Sequence, residues 1–473
     1  MHTFLTRDGG TVDLSAEAIG TLRSVMDGPV LVPGDGDYDG ERSIWNAMID
    51  RRPGAIAQCR SADDVAAVVR FANDHGLLFT VRGAGHNIAG NAVADDVLLL
   101  DTSHMRDVQV DPGARIVRVE PGCTLGDIDA RTQEVGLATP LGINSTTGIA
   151  GLTLGGGFGW MSRKHGLTID NLVSVDLVTA TGEKVRASAD ENPDLFWAVR
   201  GGGGNFGVVT AFELRLHPHG PEILSGLVVH PFDDAMGVLQ AWRDYCATAP
   251  DGASAWVVMR KAPPLPFLPE EVHGTEVVVL AMHYTGDMAE GEAALAPLRA
   301  YGSPIADVVG PHPYVGWQQA FDPLLTPGAR NYWKTHNFDG LSDEVLELLV
   351  SKVRTLPDPQ CEIFLAQMGG AVARVPEDAT AYVGRAADFI MNVHGRWADA
   401  GQDGAVVSWA RDVFTSLEPH AMGTAYVNFM PADEGARVEG AYGGNYARLA
   451  QVKRDWDPEN VFRFNQNVAP ATV

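Results

Sequence analysis

Three segments rich in glycine lie between residues 83 and 207: "GAGHNIAG" (83–90), "GIAGLTLGGGFG" (148–159) and "GGGGNFG" (201–207). Few side chains in them can cross a core, so the surrounding chain must fold around them. Glycine tolerates tight turns, and it also lets backbone N–H groups approach phosphate oxygens closely enough to form anion-binding nests. For one segment the two readings are equal. Three segments in one domain, with Arg82 and Asn87 beside the first, favour a long phosphate-bearing ligand.

The order of local elements tests which ligand this is. Gly202, Gly204 and Gly207 satisfy the GxGxxG spacing literally. A dinucleotide fingerprint, however, runs strand, tight turn, helix, because the helix N-terminus holds the pyrophosphate. Here "DLFWAVR" before the glycines predicts a helix and "VVTAFELRL" after them a strand, which is the reverse. The loop at 83–90 follows a strand but has no helix-forming run behind it. No GxxxxGK[ST] occurs, so a P-loop is excluded.

Size and charge narrow the rest. A chain of 473 residues exceeds what one core usually supports, which predicts two or more domains. A net charge of −25 repels nucleic acid and anionic lipid. Cys59, Cys123, Cys246 and Cys361 are far apart and form no CxxC pair, so neither a zinc site nor a disulfide framework is expected. The opening "MHTFLTRDGGTVDL" has no signal-like apolar core, and no run of eighteen apolar residues occurs. A soluble, cytoplasmic protein without a metal, monomeric or homodimeric, is expected.

Along the chain, Ser61 caps a helix in "RSADDVAAVVRFANDHG" whose Val65, Val68, Val69 and Ala72 share a face, and Gly76 ends it. Strands are predicted at 77–81 and 97–100, then strand, turn and helix in "ARIVRVEPGCTLGDID", and a hairpin turning at Thr181-Gly182. Past Pro218, alternating runs ("ASAWVVMRKA", "EVVVLAMHYTG", "CEIFLAQMGGAVARV", "GTAYVNFM") alternate with helical segments such as "DDAMGVLQAWRDYCATA" and "SDEVLELLVSKVRTL". That pattern suits an antiparallel sheet with helices on one face. The fold class is α+β, with a ligand-binding domain at 1–218 (core 50–218), a cap at 219–430 and a returning segment at 431–473.

One histidine stands at the lip of the first glycine turn. His86 could fill the turn, act as a base, or be attached to a cofactor. "VRGAGHNIAG", "TGIAGLTLGGGFGWMSRKHGLTIDNL", "NPDLFWAVRGGGGNFGVVTAFEL" and "RLAQVKRDWDPENVFRFNQNVAP" together resemble the berberine-bridge-enzyme-like branch of the vanillyl-alcohol-oxidase flavoproteins. The likeness covers about residues 50–218 and the last forty. It implies an FAD domain of two subdomains, a substrate cap on an antiparallel sheet, and a tail returning to the flavin.

On that resemblance His86 is the residue bonded through a ring nitrogen to the 8α-methyl of FAD, chemistry open to a neutral imidazole. Arg82, Gly83, Ala84, Gly85, Asn87, Thr147, Gly148, Gly151, Gly155, Gly156, Gly207, Val208 and Val209 are expected around the cofactor. Tyr442, Asn465 and Asn467 are expected to hydrogen-bond it, with Asn445 beside them. Many relatives carry a second, cysteinyl tether where this chain has Asn144. No cysteine lies between 123 and 246, so a single covalent bond is expected, and Cys123 reads as a small buried hydrophobe.

The resemblance further implies hydride transfer from a substrate alcohol, hemiacetal or amine carbon to flavin N5, with O2 as electron acceptor and Thr147 at the place that influences its access. A flavin-dependent, favorskiiase-like oxygenase of secondary metabolism and a flavin binder without turnover are the alternatives. Period-two alternation in "AYVNF" puts Tyr426 and Asn428 on one face, with Tyr426 as base or substrate anchor. Gln367, Lys334 and His336 are weaker candidates.

Overall fold

The computed structural model describes residues 1–472; Val473, the last residue of the expected C-terminal segment, lies outside them. Its first sheet has the order Val30–Leu31, Ala55–Gln58, Leu98–Asp101, Phe79–Arg82. The last three strands are parallel. Such strands need a crossover, and the helix Ala62–Asp74 supplies it. Ser61 accepts from Asp64 N at its start, and Val65, Val68, Val69 and Ala72 are buried as their spacing predicts. Strands buried on both faces read as continuous apolar runs, which is why "VLLLD" was legible, although both strands lie one or two residues beyond the predicted limits.

A second sheet is wholly antiparallel, in the order Lys184–Ser188, Leu172–Val178, Val208–Arg215, Ile116–Val119, Val108–Asp111. The hairpin turns at 179–183 as expected. Thr124 and Asp127 form a capping box that starts the helix Leu125–Gln133. The helix Pro193–Val199 precedes the third glycine segment and the strand Val208–Arg215 follows it, so the reversed order is present in the fold.

From Glu222 onward the chain builds an antiparallel sheet of eight strands. Its order is Ala306–Asp307, Glu222–Pro231, Glu276–Tyr284, Ala253–Lys261, Glu362–Gln367, Phe389–Trp397, Arg330–Phe338, with Gly310–Pro313 also paired to the second. The helices Ala235–Cys246, Met288–Arg299, Asp343–Val353 and Asp403–Leu417 contribute Val238, Leu239, Trp242, Leu295, Leu349 and Val413 to the core on one face. The other face carries Trp256, Phe364 and Trp333 without a helix over them.

The expected strand "GTAYVNFM" is not a strand. Val427–Phe429 forms a 3₁₀ turn, and Asn428 Nδ2 donates to Leu152 O (3.2 Å), so contacts to the second glycine segment replace ladder bonds. The strands Glu222–Pro231, Arg330–Phe338 and Phe389–Trp397, by contrast, were hidden by buried polar residues such as His230, Thr335, His336, Asn392 and His394, which interrupt apolar alternation.

Candidate active site

Between the two small sheets and the bare face of the large one lies a continuous cavity of about 380 Å³. Gly83, Ala84, Gly85, His86 and Asn87 form one part of its wall, joined by Thr147, Gly148, Gly151, Gly207, Val208 and Val209. Tyr426, Asn428, Tyr442 and Asn465 also face it. A Cβ on Gly151 or Gly204 would meet no protein atom within 4 Å and would stand in the cavity itself. Gly85 has φ +68°, a left-handed conformation that lets the first loop turn at the cavity edge.

The residues fit the large phosphate-bearing cofactor the sequence points to. The glycine cradle is open on its inner side, and the Tyr442 hydroxyl and Asn465 Oδ1 are buried at the wall without a protein partner. Buried polar atoms normally have one, so these point to a ligand. The tail is held by Asn205, which donates to Gln466 O (3.1 Å) and accepts from Val468 N (3.0 Å). Buried Lys453 donates to Asp457, Asn205 O and Phe462 O.

His86 stacks on Trp45 with ring centroids 4.4 Å apart, and its Nε2 lies 3.2 Å from Thr146 Oγ1. Burial, with the Arg396 guanidinium nearby, pushes its pKa down to about 3, so the imidazole is neutral at physiological pH. Asn144, in the place of the second tether, is buried and bonds Thr146 through Oδ1. Cys123 is fully buried with its thiol pushed up to about 12 by that burial, the behaviour of a small core residue.

Tyr426 is buried opposite. Its hydroxyl oxygen accepts from Gly157 N (3.2 Å) and Asn428 Nδ2 (3.0 Å). Burial raises its pKa to about 12 against the pull of these two donors. A cluster absent from the sequence reading completes the polar lining: Arg260 Nη1 is 2.6 Å from Glu362 Oε2, and His394 Nδ1 is 3.3 Å from Glu362 Oε1. Burial opposes ionisation of Glu362, but Arg260 and His394 outweigh it and hold the carboxyl below the usual range. Glu362 and Phe364 share the cavity face by period two, a signal available in "CEIFLAQ".

Several expected residues are elsewhere. Gln367 lies on the helix-covered face, one residue out of phase with Glu362 and Phe364, where its side chain accepts from Ala255 N (3.0 Å). Lys334 pairs with Glu434 (2.6 Å) and His336 bonds Phe414 O (3.0 Å), also away from the cavity. Arg82 spends its donors on Asp101, its register partner on the adjacent parallel strand, and on Glu41 O and Ser43 O. Gly155 and Gly156 stand behind the wall, where a Cβ would collide with Asn428 and Tyr382 respectively. Asn445 bonds Glu377 O and Thr380 O. Asn467 is off the wall, its Oδ1 buried without a partner.

Comparison with known proteins agrees with this architecture. A family profile described as FAD binding domain matches residues 53–188, and one described as berberine and berberine like matches 425–469. An FAD-linked oxidoreductase of Dictyostelium discoideum is 31% identical over 90% of this chain and 91% of its own. (R)-6-hydroxynicotine oxidase of Paenarthrobacter nicotinovorans is 30% identical over 94% and 97%. The crystal structure of 6-hydroxy-D-nicotine oxidase from Arthrobacter nicotinovorans superposes with a TM-score of 0.86 at 28% identity, covering 97% of this chain and all of that one. A cradle, a cap and a returning tail matched over nearly the whole length leave one assignment: the chain belongs to the berberine-bridge-like family of FAD-linked oxidoreductases within the vanillyl-alcohol-oxidase fold.

Proposed function

We propose that the enzyme is an oxidase that removes a hydride from a carbon bearing a hydroxyl or amine on a flat, largely apolar substrate and passes the electrons to O2, releasing hydrogen peroxide. FAD, bound in the cradle through a single bond to His86, would supply the hydride-accepting chemistry. One observation carries this reading: the cavity is continuous from the glycine cradle to the aromatic face of the cap, so cofactor and substrate occupy one space.

The chain's own groups have separable tasks. Trp256, Phe364, Trp333 and Phe429 offer apolar surface that would orient a ring system and exclude water; a sugar would leave its hydroxyls unpaired there. Both lone pairs of Tyr426 are engaged by N–H donors, so its remaining O–H is free to donate to a substrate oxygen or nitrogen. A phenol with a pKa near 12 keeps its proton at neutral pH, so Tyr426 acts as an anchor. Glu362 is the sole carboxylate among the described residues at the wall, and with His394 it is the group to take the substrate's O–H or N–H proton. Four unpaired thiols support a reducing, cytoplasmic setting.

An aerobic donor screen tests this. Aromatic amines and benzylic alcohols are expected to release peroxide in step with product, and the same donors to bleach the flavin anaerobically. Faster turnover of oligosaccharides would overturn the substrate class. Product carrying oxygen from O2, without matching peroxide, would establish the oxygenase alternative, and a yellow protein that no donor bleaches would establish a binder.

A further inference from the structure

The bare face of the large sheet continues past its aromatic group into an aliphatic end. On the strand Glu222–Pro231, Leu227 and Val229 flank Val228, which belongs to the helix-covered core. On Glu276–Tyr284, Val277 and Val279 alternate in the same way with Val278 and Leu280. Val229 stands opposite Val279 and Leu227 opposite Ala281, so these side chains form one patch on the cavity side. Leu227 and Val279 are only half-buried.

The segment 262–275 faces this patch. Ala262 N donates to Thr275 O (2.8 Å) and Gly274 N to Ala262 O (2.8 Å), which pins its base, and Pro263, Pro264, Pro266 and Pro269 stiffen it. Its Leu268 packs in one cluster with Val229 and Val277, and Leu265 adjoins them. Phe267 lines the cavity and is also 36% exposed, which puts it at the mouth. Sheet and segment thus leave a trough with aliphatic walls that runs from Arg260 and Glu362 toward solvent. Glu362 and Val229 are three strands apart, a span of about 14 Å at about 4.8 Å per strand. A ring beside Glu362 takes about one strand spacing and leaves about 10 Å.

We propose that this trough holds an unbranched saturated chain carried by the substrate's ring, so that the preferred donors are alkyl-substituted aromatic alcohols or amines. The inference rests on the oxidase reading above and names its substrate class. Contiguous apolar surface without a protein partner marks a binding site, and leucine, valine and proline side chains offer no hydrogen bond. A sugar or peptide would lose its water there without replacement. A second ring would find one aromatic partner, Phe267, and only at the mouth.

Two homologous series, methyl to decyl, test this on the FAD-loaded protein. 4-Alkylanilines, whose amine-bearing carbon has no hydrogen to give up, report binding by calorimetry. 4-Alkylbenzyl alcohols report turnover by peroxide release. Each added methylene should tighten binding and raise kcat/KM about two- to fourfold through hexyl, the upper value being full burial of a CH2. The gain should level off by decyl, as the chain end reaches solvent beside Phe267. Val279→Phe fills the trough and should confine the gain to the shortest homologues. Leu265→Asp sets a charge along the chain's path and should flatten the slope; if Val279→Phe does not fold, it decides alone. Affinity that does not rise with length, or the same slope in wild type and variants, would overturn the trough. A slope in binding with no peroxide from any alcohol would overturn the oxidase reading and leave the trough standing.

Discussion

At the scale of single residues, the site depends on groups whose protonation is set by burial. His86 is kept neutral in this way; on the tether proposed above, replacing it with alanine should leave FAD extractable by acid, read as a protein of unmodified mass while non-covalent binding persists. Tyr426→Phe removes the donor into the cavity together with the oxygen that accepts from Gly157 and Asn428. It should lower kcat by about ten- to a hundredfold, with Asn428 and Gly157 left without their acceptor, as measured by steady-state kinetics. Asp129 gives a pH test outside the site. It is almost fully buried, and burial raises its pKa to about 7 against the pull of Gln318 (3.1 Å) and the Tyr314 hydroxyl. The folded chain therefore binds this proton more tightly than the unfolded chain. Its contribution is complete below about pH 4, falls as pH rises toward 7, and corresponds to at most ~4 kcal/mol. Asp129→Asn should raise Tm relative to wild type at pH 8 and change it little at pH 4, in thermal melts at the two values.

At the scale of elements, the glycine segments and the tail act together. Asn205 lies within the third segment and fastens residues 466 and 468, while donating also to Gly202 O (2.8 Å). Asn205→Ala breaks all three bonds and should cost about 2–3 kcal/mol, with faster loss of non-covalent FAD in the His86→Ala background. Dialysis followed by absorbance reads the second effect. The helix Ala62–Asp74, the hairpin at 172–188 and the helix-loop-strand at 193–215 were legible because capping residues, turn glycines and apolar period are local signals. The residues 424–430 were not. Their alternation is real, but their side chains are used against residues 152–157 rather than in a ladder.

At the scale of the whole molecule, two buried arginines join the cofactor half to the cap. Arg385 meets both oxygens of Asp170 (2.8 and 3.1 Å). Arg163 donates to Ala253 O (2.8 Å), Ala249 O (3.0 Å) and Met368 O. Arg385→Ala leaves the Asp170 carboxylate uncompensated and should destabilise by about 3–5 kcal/mol, read as a lower Tm in the apoprotein. No helix among the described residues is long and apolar enough to cross a membrane.

The glycines, the histidine at the first glycine turn, the absence of a cysteine at 144 and the apolar periods of helices and strands are properties of the chain itself. From them follow the class of ligand, the position of His86 and the α+β architecture, because backbone freedom, reactive atoms and apolar period are written residue by residue. Which polar groups share the cavity was decided by tertiary packing. Period two gives a strand two faces without saying which one is covered by helices, so Gln367 and Lys334 turned inward and Glu362 and His394 turned to the site. Arg82 was claimed by Asp101 for the same reason: a charge needs a partner, and only the folded register shows which partner stands opposite.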